Sequence, residues 1–72
     1  MADTARTVQI REDEIRLGQF LKLADLVDTG AEVKPLLETG LVTVNGIAES
    51  RRGRRLRRGD VVETAGQQVR VG

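Results

Sequence analysis

Apolar residues recur at two spacings along this 72-residue chain, and each spacing predicts one kind of element. Residues 7–10, Thr-Val-Gln-Ile, alternate between polar and apolar and predict a short strand. Further on, apolar residues keep the spacing of a helix with one buried stripe, at Leu17, Phe20, Leu21, Ala24 and Val27. The sequence therefore predicts a strand, a polar surface turn at residues 12–14, and a helix from Leu17 to about Val27.

A second helix is predicted over residues 30–39. Thr29 and Glu32 form the pattern of a capping box, in which the threonine hydroxyl accepts from the Glu32 amide and the Glu32 carboxylate reaches back. Pro35 lacks an amide donor and crowds the turn before it, so it should shift or kink the first turn. Gly40 is expected to end this helix, whose buried positions would be Val33, Leu36 and Leu37.

The second half of the chain predicts two pairs of strands. Residues 41–44 and 47–50 flank Asn45-Gly46, a dipeptide typical of a two-residue hairpin turn. Residues 61–64 and 68–71 form another pair, joined at residues 65–67. With this last pair taken as one unit, the order is β-α-α-β-β-β. It predicts an α+β domain in which two helices pack on a small, mostly antiparallel sheet.

Length and composition allow one small domain and remove several kinds of chemistry. We expect a flexible N-terminus at residues 1–6 and a single domain over residues 7–72, with an aliphatic core because Phe20 is the only aromatic residue. The chain has no His and no Cys, and its acidic residues 12–14 fall in a predicted surface turn rather than a pocket. We therefore expect no catalytic residue, metal or cofactor. Since no signal peptide or membrane span is visible, we also expect a cytoplasmic protein.

The net charge of +1 conceals an uneven distribution. Residues 1–33 carry four basic and seven acidic residues, a net charge of −3, whereas residues 34–58 carry seven basic and two acidic residues, a net charge of +5. Residues 51–58, the arginine segment, contain six arginines, at Arg51, Arg52, Arg54, Arg55, Arg57 and Arg58. Because arginine is always ionised and its planar fork of donors fits phosphate oxygens, the segment predicts an anionic partner. A merely solvated basic loop is the alternative.

The arginine segment is predicted to be irregular. Gly53 interrupts it and Gly59 closes it, which argues against a helix. In a regular strand Arg54 and Arg58 would point inward with Leu56, because side chains two residues apart share a face. We expect Leu56 to anchor the segment in the core while the guanidinium groups fan outward. No acidic residue within the segment relieves their mutual repulsion.

Weaker candidates for the same partner each have an ordinary structural explanation. Asn45 is accounted for by the hairpin turn alone, and Lys22 and Lys34 by charges on a helix surface. Thr29 is first a helix cap, yet the free amides that follow it, beginning with Gly30, could bind an anion at the helix N-terminus.

Four short stretches follow one another in the order and spacing of a known domain: residues 16–21 (RLGQFL), 29–34 (TGAEVK), 40–46 (GLVTVNG) and 59–60 (GD). Together they resemble the alpha-L RNA-binding domain named after bacterial ribosomal protein S4, which is also appended to pseudouridine synthases and tyrosyl-tRNA synthetases. Residues 17–22 and 51–56 look most like the stand-alone, single-domain bacterial members. The resemblance covers about residues 8–71.

The resemblance implies an alpha-L fold in which two helices and the following hairpin form one RNA-contacting face. It implies RNA contacts in the first helix, at the start of the second, in the hairpin turn and in the arginine segment, at Arg16, Thr29, Gly30, Lys34, Asn45, Gly46, Arg51, Arg52, Arg54 and Arg55. The sequence departs from the family pattern in two places: Thr29-Gly30 stands where Ser-Arg is usual, and Gly18 stands where an aspartate is usual. The missing arginine removes one expected phosphate contact and leaves backbone amides in its place.

The leading hypothesis is a module that binds structured RNA, either ribosomal or transfer RNA, with a ribosomal particle as a candidate partner. Without aromatic side chains on the sheet it cannot stack bases as an RRM or OB fold does, so it should recognise backbone and shape. Neutralising about five or six phosphates would make log affinity fall with log salt at a slope of about −3.5 to −5.5. The alternative is a protein-interaction or ribosome-associated accessory module that binds an acidic protein surface. Duplex DNA is a lesser variant, and no membrane or small-molecule partner is expected.

Overall fold

The structure, a computed structural model, describes residues 5–72. Its strands are β1 (Arg6–Val8), β2 (Glu14–Arg16), β3 (Thr43–Val44), β4 (Ile47–Ala48), β5 (Arg55–Arg57), β6 (Val61–Thr64) and β7 (Gln67–Val71). Its helices are α1 (Leu17–Leu23) and α2 (Val33–Glu38), and a 3₁₀ turn at Gly30–Glu32 leads into α2. The predicted α+β class, with two helices and a mostly antiparallel sheet, is confirmed.

Five of these strands form one sheet in the order β1-β7-β6-β3-β4. Strands β1 and β7 are parallel, and the other neighbours in the sheet are antiparallel. Of the segment predicted to be flexible, residues 1–4 lie outside the described residues, but Arg6 belongs to β1 opposite Val69. Its guanidinium also donates to the Ala24 carbonyl oxygen at 2.7 Å, beyond the end of α1. The sheet therefore includes Arg6, one residue before the predicted start of the domain.

Helix α1 ends at Leu23, four residues before the predicted end at Val27. Asp25 adopts a left-handed φ of 59°, and its amide donates to the Lys22 carbonyl oxygen, while the Leu26 amide donates to that of Leu21. These two bonds form a Schellman motif, which ends a helix by satisfying its last carbonyls. Val27 is nevertheless buried, as its place in the apolar stripe predicted. The predicted end of the helix near this residue is wrong.

The second predicted helix is divided into the 3₁₀ turn and α2. Pro35 lies in the first turn of α2, where a missing amide costs no intrahelical bond, and the expected shift of that turn is confirmed. Beyond α2, Gly40 takes a φ of +75°, as expected of the glycine that follows a helix. Val33 and Leu37 are buried as predicted, and Leu36 is half-buried.

Two tight turns set the register of the sheet. Asn45 and Gly46 have φ values of 52° and 84°, and Ala65 and Gly66 of 51° and 76°. A two-residue turn with both φ values positive matches the right-handed twist of the strands it joins. Strands β3 and β4 are shorter than predicted, whereas β6 has the predicted bounds and β7 begins one residue before its predicted start. Leu41 and Ile47 are exposed, although the β3–β4 pairing continues by a hydrogen bond from the Glu49 amide to the Val42 carbonyl oxygen.

Within residues 5–72, one hydrophobic cluster lies between the helices, the sheet and the remaining two strands, β2 and β5. Leu56 is fully buried within it, as predicted. The cluster consists of Ile10, Leu17, Phe20, Leu21, Ala24, Val27, Val33, Leu37, Val42, Val44, Leu56, Val62, Val69 and Val71. Neither helix in residues 5–72 has the length and apolar character needed to cross a membrane.

Candidate nucleic-acid interface

Strands β2 and β5 form a separate antiparallel ribbon, so the prediction that the arginine segment is irregular is wrong for residues 55–57. Ile15 lies opposite Leu56, and these two side chains form the inner face. The three-residue strand points only Leu56 inward, because the chain turns before Arg54 and Arg58 would have to follow it. The polar turn predicted at residues 12–14 likewise gives way to β2 at Glu14.

The outer face of this ribbon gathers three arginines and one glutamate. Arg16 lies opposite Arg55, and Glu14 lies opposite Arg57. Like charges directly across a ladder repel. Glu14 offsets this repulsion, since its Oε1 lies 3.7 Å from the Arg55 Nε. The pairing thus joins Arg16 to the arginine segment, which the sequence separates by almost forty residues.

The first half of the arginine segment, residues 51–54, is a loop fastened to the start of α1. The Leu17 amide donates to the Arg54 carbonyl oxygen at 2.7 Å, and the Gly18 amide donates to that of Arg52 at 2.9 Å. A Cβ atom on Gly18 would stand 3.4 Å from the Arg52 carbonyl oxygen and 3.3 Å from the Val33 Cγ1. Gly18 therefore permits the close approach of the loop, and the opening amides of α1 hold it in place.

Glu49 binds the same loop from the other side. Its carboxylate, only 9% exposed, accepts from the Arg51 Nε at 3.1 Å, the Arg51 Nη2 at 3.0 Å and the Arg54 Nη1 at 3.0 Å. The Arg51 backbone amide also donates to it at 3.0 Å. The hydrogen bonds from the Arg51 side chain, followed by that from its amide, outweigh burial and lower the pKa of Glu49 from 4.5 to about 2. The same pair raises the pKa of Arg51.

Within residues 5–72, four of the six arginines in the segment have carboxylate partners from outside it, so the fold relieves a repulsion that no residue within the segment relieves. Arg51 and Arg54 share Glu49, Arg55 pairs with Glu14, and Arg58 lies 3.5 Å from Asp13. Arg58 also donates to the Ile10 carbonyl oxygen at 3.0 Å. The pairs made by Arg55 and Arg58 are exposed, which makes them weak and exchangeable.

The Asn45 side chain makes two hydrogen bonds within the protein. Its Nδ2 donates to the Asp60 Oδ1 at 3.0 Å, and its Oδ1 accepts from the Val61 amide at 2.9 Å. The Asp60 Oδ2 accepts from the Arg57 amide at 2.8 Å. These bonds tie the hairpin turn to the turn after β5, so the structural explanation of Asn45 accounts for both ends of its side chain. Its contact with a nucleic acid stays a prediction.

The entry to α2 already contains an anion of its own. The Glu32 Oε1 accepts from the amides of Asp28 and Thr29, at 2.8 and 2.9 Å, which is the reaching-back half of the predicted capping box. The Glu32 amide donates to the Thr29 backbone carbonyl oxygen at 3.2 Å. A carboxylate at this place disfavours a second anion, so binding at Thr29 and Gly30 stays a prediction with reduced support. Lys34, on α2, is exposed and so is Lys22, on the last turn of α1.

A shallow groove beside the ribbon adds residues that the sequence reasoning did not select. Arg11 and Gln19 line it together with Arg16, Arg55 and Arg57, and the acidic residues 12–14 line it as well. Arg11 is a single basic residue followed by three acidic ones, so the local sequence pattern did not predict it to be a binding residue. Phe20 is fully buried, and no other aromatic ring is present in the chain to stack on a base.

Comparisons with known proteins agree with this architecture. A family model described as the S4 domain matches residues 8–72. A Bacillus subtilis (strain 168) protein described as probable ribosome maturation protein RlbA is 47% identical over 62 residues, which is 86% of this chain and 87% of the relative.

A solved structure shares the fold. The solution structure of YbcJ from E. coli, described as revealing an alpha-L motif involved in RNA binding, superposes with a TM-score of 0.70 at 30% identity. The match covers 99% of this chain and 90% of that one.

Proposed function

The chain belongs to the S4 domain family, and from that membership we propose that it is a non-catalytic, cytoplasmic module that binds structured RNA, ribosomal or transfer RNA, through its phosphate backbone and shape. What is said of its two relatives, RNA binding for one and ribosome maturation for the other, comes to this chain as part of this proposal. A ribosomal particle is the favoured setting.

The observation that carries the proposal is the way the fold fixes a set of exposed arginines. The β2–β5 ribbon presents Arg16, Arg55 and Arg57 on one face, and the loop docked on α1 presents Arg52 beside it. None of these four guanidinium groups is buried, and each is attached to backbone that hydrogen bonds hold in place. Such an array offers a phosphate backbone several donors in fixed positions.

The carboxylates around the arginines change the expected salt dependence. Arg16, Arg52 and Arg57 have no carboxylate partner within residues 5–72. The exposed pairs of Arg55 and Arg58 can exchange for phosphate. Arg51 and Arg54 share Glu49 and together carry one net positive charge. Neutralising about four to six phosphates predicts a slope of log affinity against log salt of about −3 to −5.5, a range that extends to shallower values than the sequence suggested because the paired arginines contribute less.

Filter binding to fragments of bulk bacterial ribosomal RNA over a salt series tests this proposal. The double variant Arg52→Gln/Arg57→Gln should weaken binding and make the slope shallower by about 1.4 to 1.8. The matched control is Lys22→Gln/Lys34→Gln, which removes the same charge from the helices and should have a smaller effect. A flat salt response of the wild type, or equal effects of the two double variants, would refute the proposed interface.

Two further measurements separate the proposal from its alternatives. If the partner is an acidic protein surface, proteins that co-purify with the chain should remain after RNase treatment, whereas RNase should release them if RNA is the link. Competition with duplex DNA tests the preference for RNA, because equal affinity for both would remove it.

A further inference from the structure

Glu49 occupies an unusual place for a carboxylate in a protein proposed to bind a polyanion. It lies beneath the arginine loop, nearly buried, and its negative charge would by itself repel phosphate. An isolated carboxylate at this place would lower the affinity for RNA. The hydrogen bonds of Glu49 indicate how it can favour RNA binding instead.

The carboxylate engages its two arginines in a way that leaves donors available. Arg51 uses its Nε and one Nη2 proton on Glu49, while its side chain stays 72% exposed with the Nη1 group directed elsewhere. Arg54 uses only Nη1 and keeps a side-chain exposure of 37%. A guanidinium can bind a carboxylate along one edge and a phosphate along another.

We propose that Glu49 is a positioning residue for RNA, whose carboxylate orients the guanidinium groups of Arg51 and Arg54 before RNA arrives. The inference rests on the proposed function and adds to it a residue that would not touch RNA. Ordering long side chains opposes binding, so arginines that are ordered in the free protein bind more tightly than mobile ones. The opening amides of α1 hold the backbone of the same loop, so both its main chain and its side chains are set in advance.

The loss of charge and the loss of positioning predict opposite changes in RNA affinity for the same substitution, so the inference can be tested. Glu49→Gln removes one negative charge from beneath the arginines, so charge alone predicts tighter binding of RNA. If Glu49 positions the arginines, the same variant should bind fragments of bulk ribosomal RNA about tenfold more weakly. Glu63→Gln is the matched control: it makes the same change of charge at an exposed residue of β6 and should bind as tightly as the wild type or slightly more tightly.

A second variant keeps the charge constant. Glu49→Asp shortens the side chain by one methylene, so its carboxylate can no longer reach both arginines with the observed geometry. It should also bind several-fold more weakly, but with an unchanged salt slope, because the number of charges is the same. Affinities are measured at a temperature where circular dichroism shows each variant folded. A variant that is only less stable then binds RNA as tightly as the wild type.

A measurement on the free wild-type protein keeps the inference falsifiable if both variants unfold. The NMR order parameter of the Arg51 Nε–H should exceed about 0.6, the level above which a group is not flexible, and it should change little when RNA is added. A mobile Nε–H, or Glu49→Gln binding as tightly as Glu63→Gln, would overturn the inference and leave the proposed function intact. Failure of the wild type to bind the RNA fragments would overturn both.

Discussion

Replacing Glu49 by glutamine should remove the part of the pH dependence of protein stability that the titration of this carboxylate contributes. In the folded protein the pKa of Glu49 is about 2, against an ordinary value of 4.5. Each pKa unit corresponds to about 1.4 kcal/mol of differential stabilisation of the charged form. The ionised carboxylate therefore contributes up to about 3 kcal/mol, and about 2 kcal/mol once screening at the exposed Arg51 is allowed for.

The sign follows from the direction of the shift. Because folding lowers the pKa of Glu49, the unfolded chain binds more protons than the folded one between pH 2 and 4.5, and stability falls as the pH falls through that window. Above pH 4.5 the contribution is fully present. Wild type should thus exceed Glu49→Gln by about 2 to 3 kcal/mol at pH 7, by about half of that at pH 3, and by less than about 0.5 kcal/mol at pH 2.

Urea denaturation followed by far-ultraviolet circular dichroism at several pH values measures this difference, since the chain has no Trp or Tyr to report by fluorescence. Subtracting the variant from the wild type cancels the other carboxylates, which titrate in both. Glu63→Gln serves as the control and should stay within about 0.5 kcal/mol of the wild type throughout. A gap between wild type and Glu49→Gln that is equally large at pH 7 and pH 2 would refute the reasoning.

Three other substitutions probe the framework of the site. Leu56→Ala should cost about 2 to 5 kcal/mol in urea denaturation, because it empties a fully buried position beneath the arginines, and a cost below about 1 kcal/mol would show that this anchor is dispensable. Asn45→Gly breaks the bonds to Asp60 and Val61 without straining the turn, so it should lower stability by about 1 to 2 kcal/mol. Affinity of the folded variant for ribosomal RNA fragments should not change, and a large loss would instead make Asn45 an RNA contact. Gly18→Leu should displace the docked loop and weaken RNA binding, whereas Gly30→Leu, with no atom within 4 Å of its Cβ position, should not; equal effects would contradict the role given to Gly18.

Local pattern was sufficient for several features of this protein. The dipeptide Asn45-Gly46 determined a hairpin turn, because few residues other than asparagine and glycine adopt positive φ readily. Leu56, an apolar residue among arginines, was correctly assigned to the core. The helix over residues 17–23 and the effect of Pro35 followed from spacing and from the missing amide. Motifs in order along the chain identified the family, which the comparison with known domains confirmed.

Tertiary structure alone decided how the arginines are arranged. The pairing of β2 with β5 depends on contacts between residues about forty positions apart, and a three-residue strand leaves no periodic signal of its own. Glu49 counted in the sequence as one charge against seven, yet folding buries it between two guanidinium groups, where it becomes their shared partner. The order of residues along the chain determined that it is basic in one segment. Which of its arginines are held, which are neutralised and which remain exposed depended on where the fold places a few carboxylates and backbone amides.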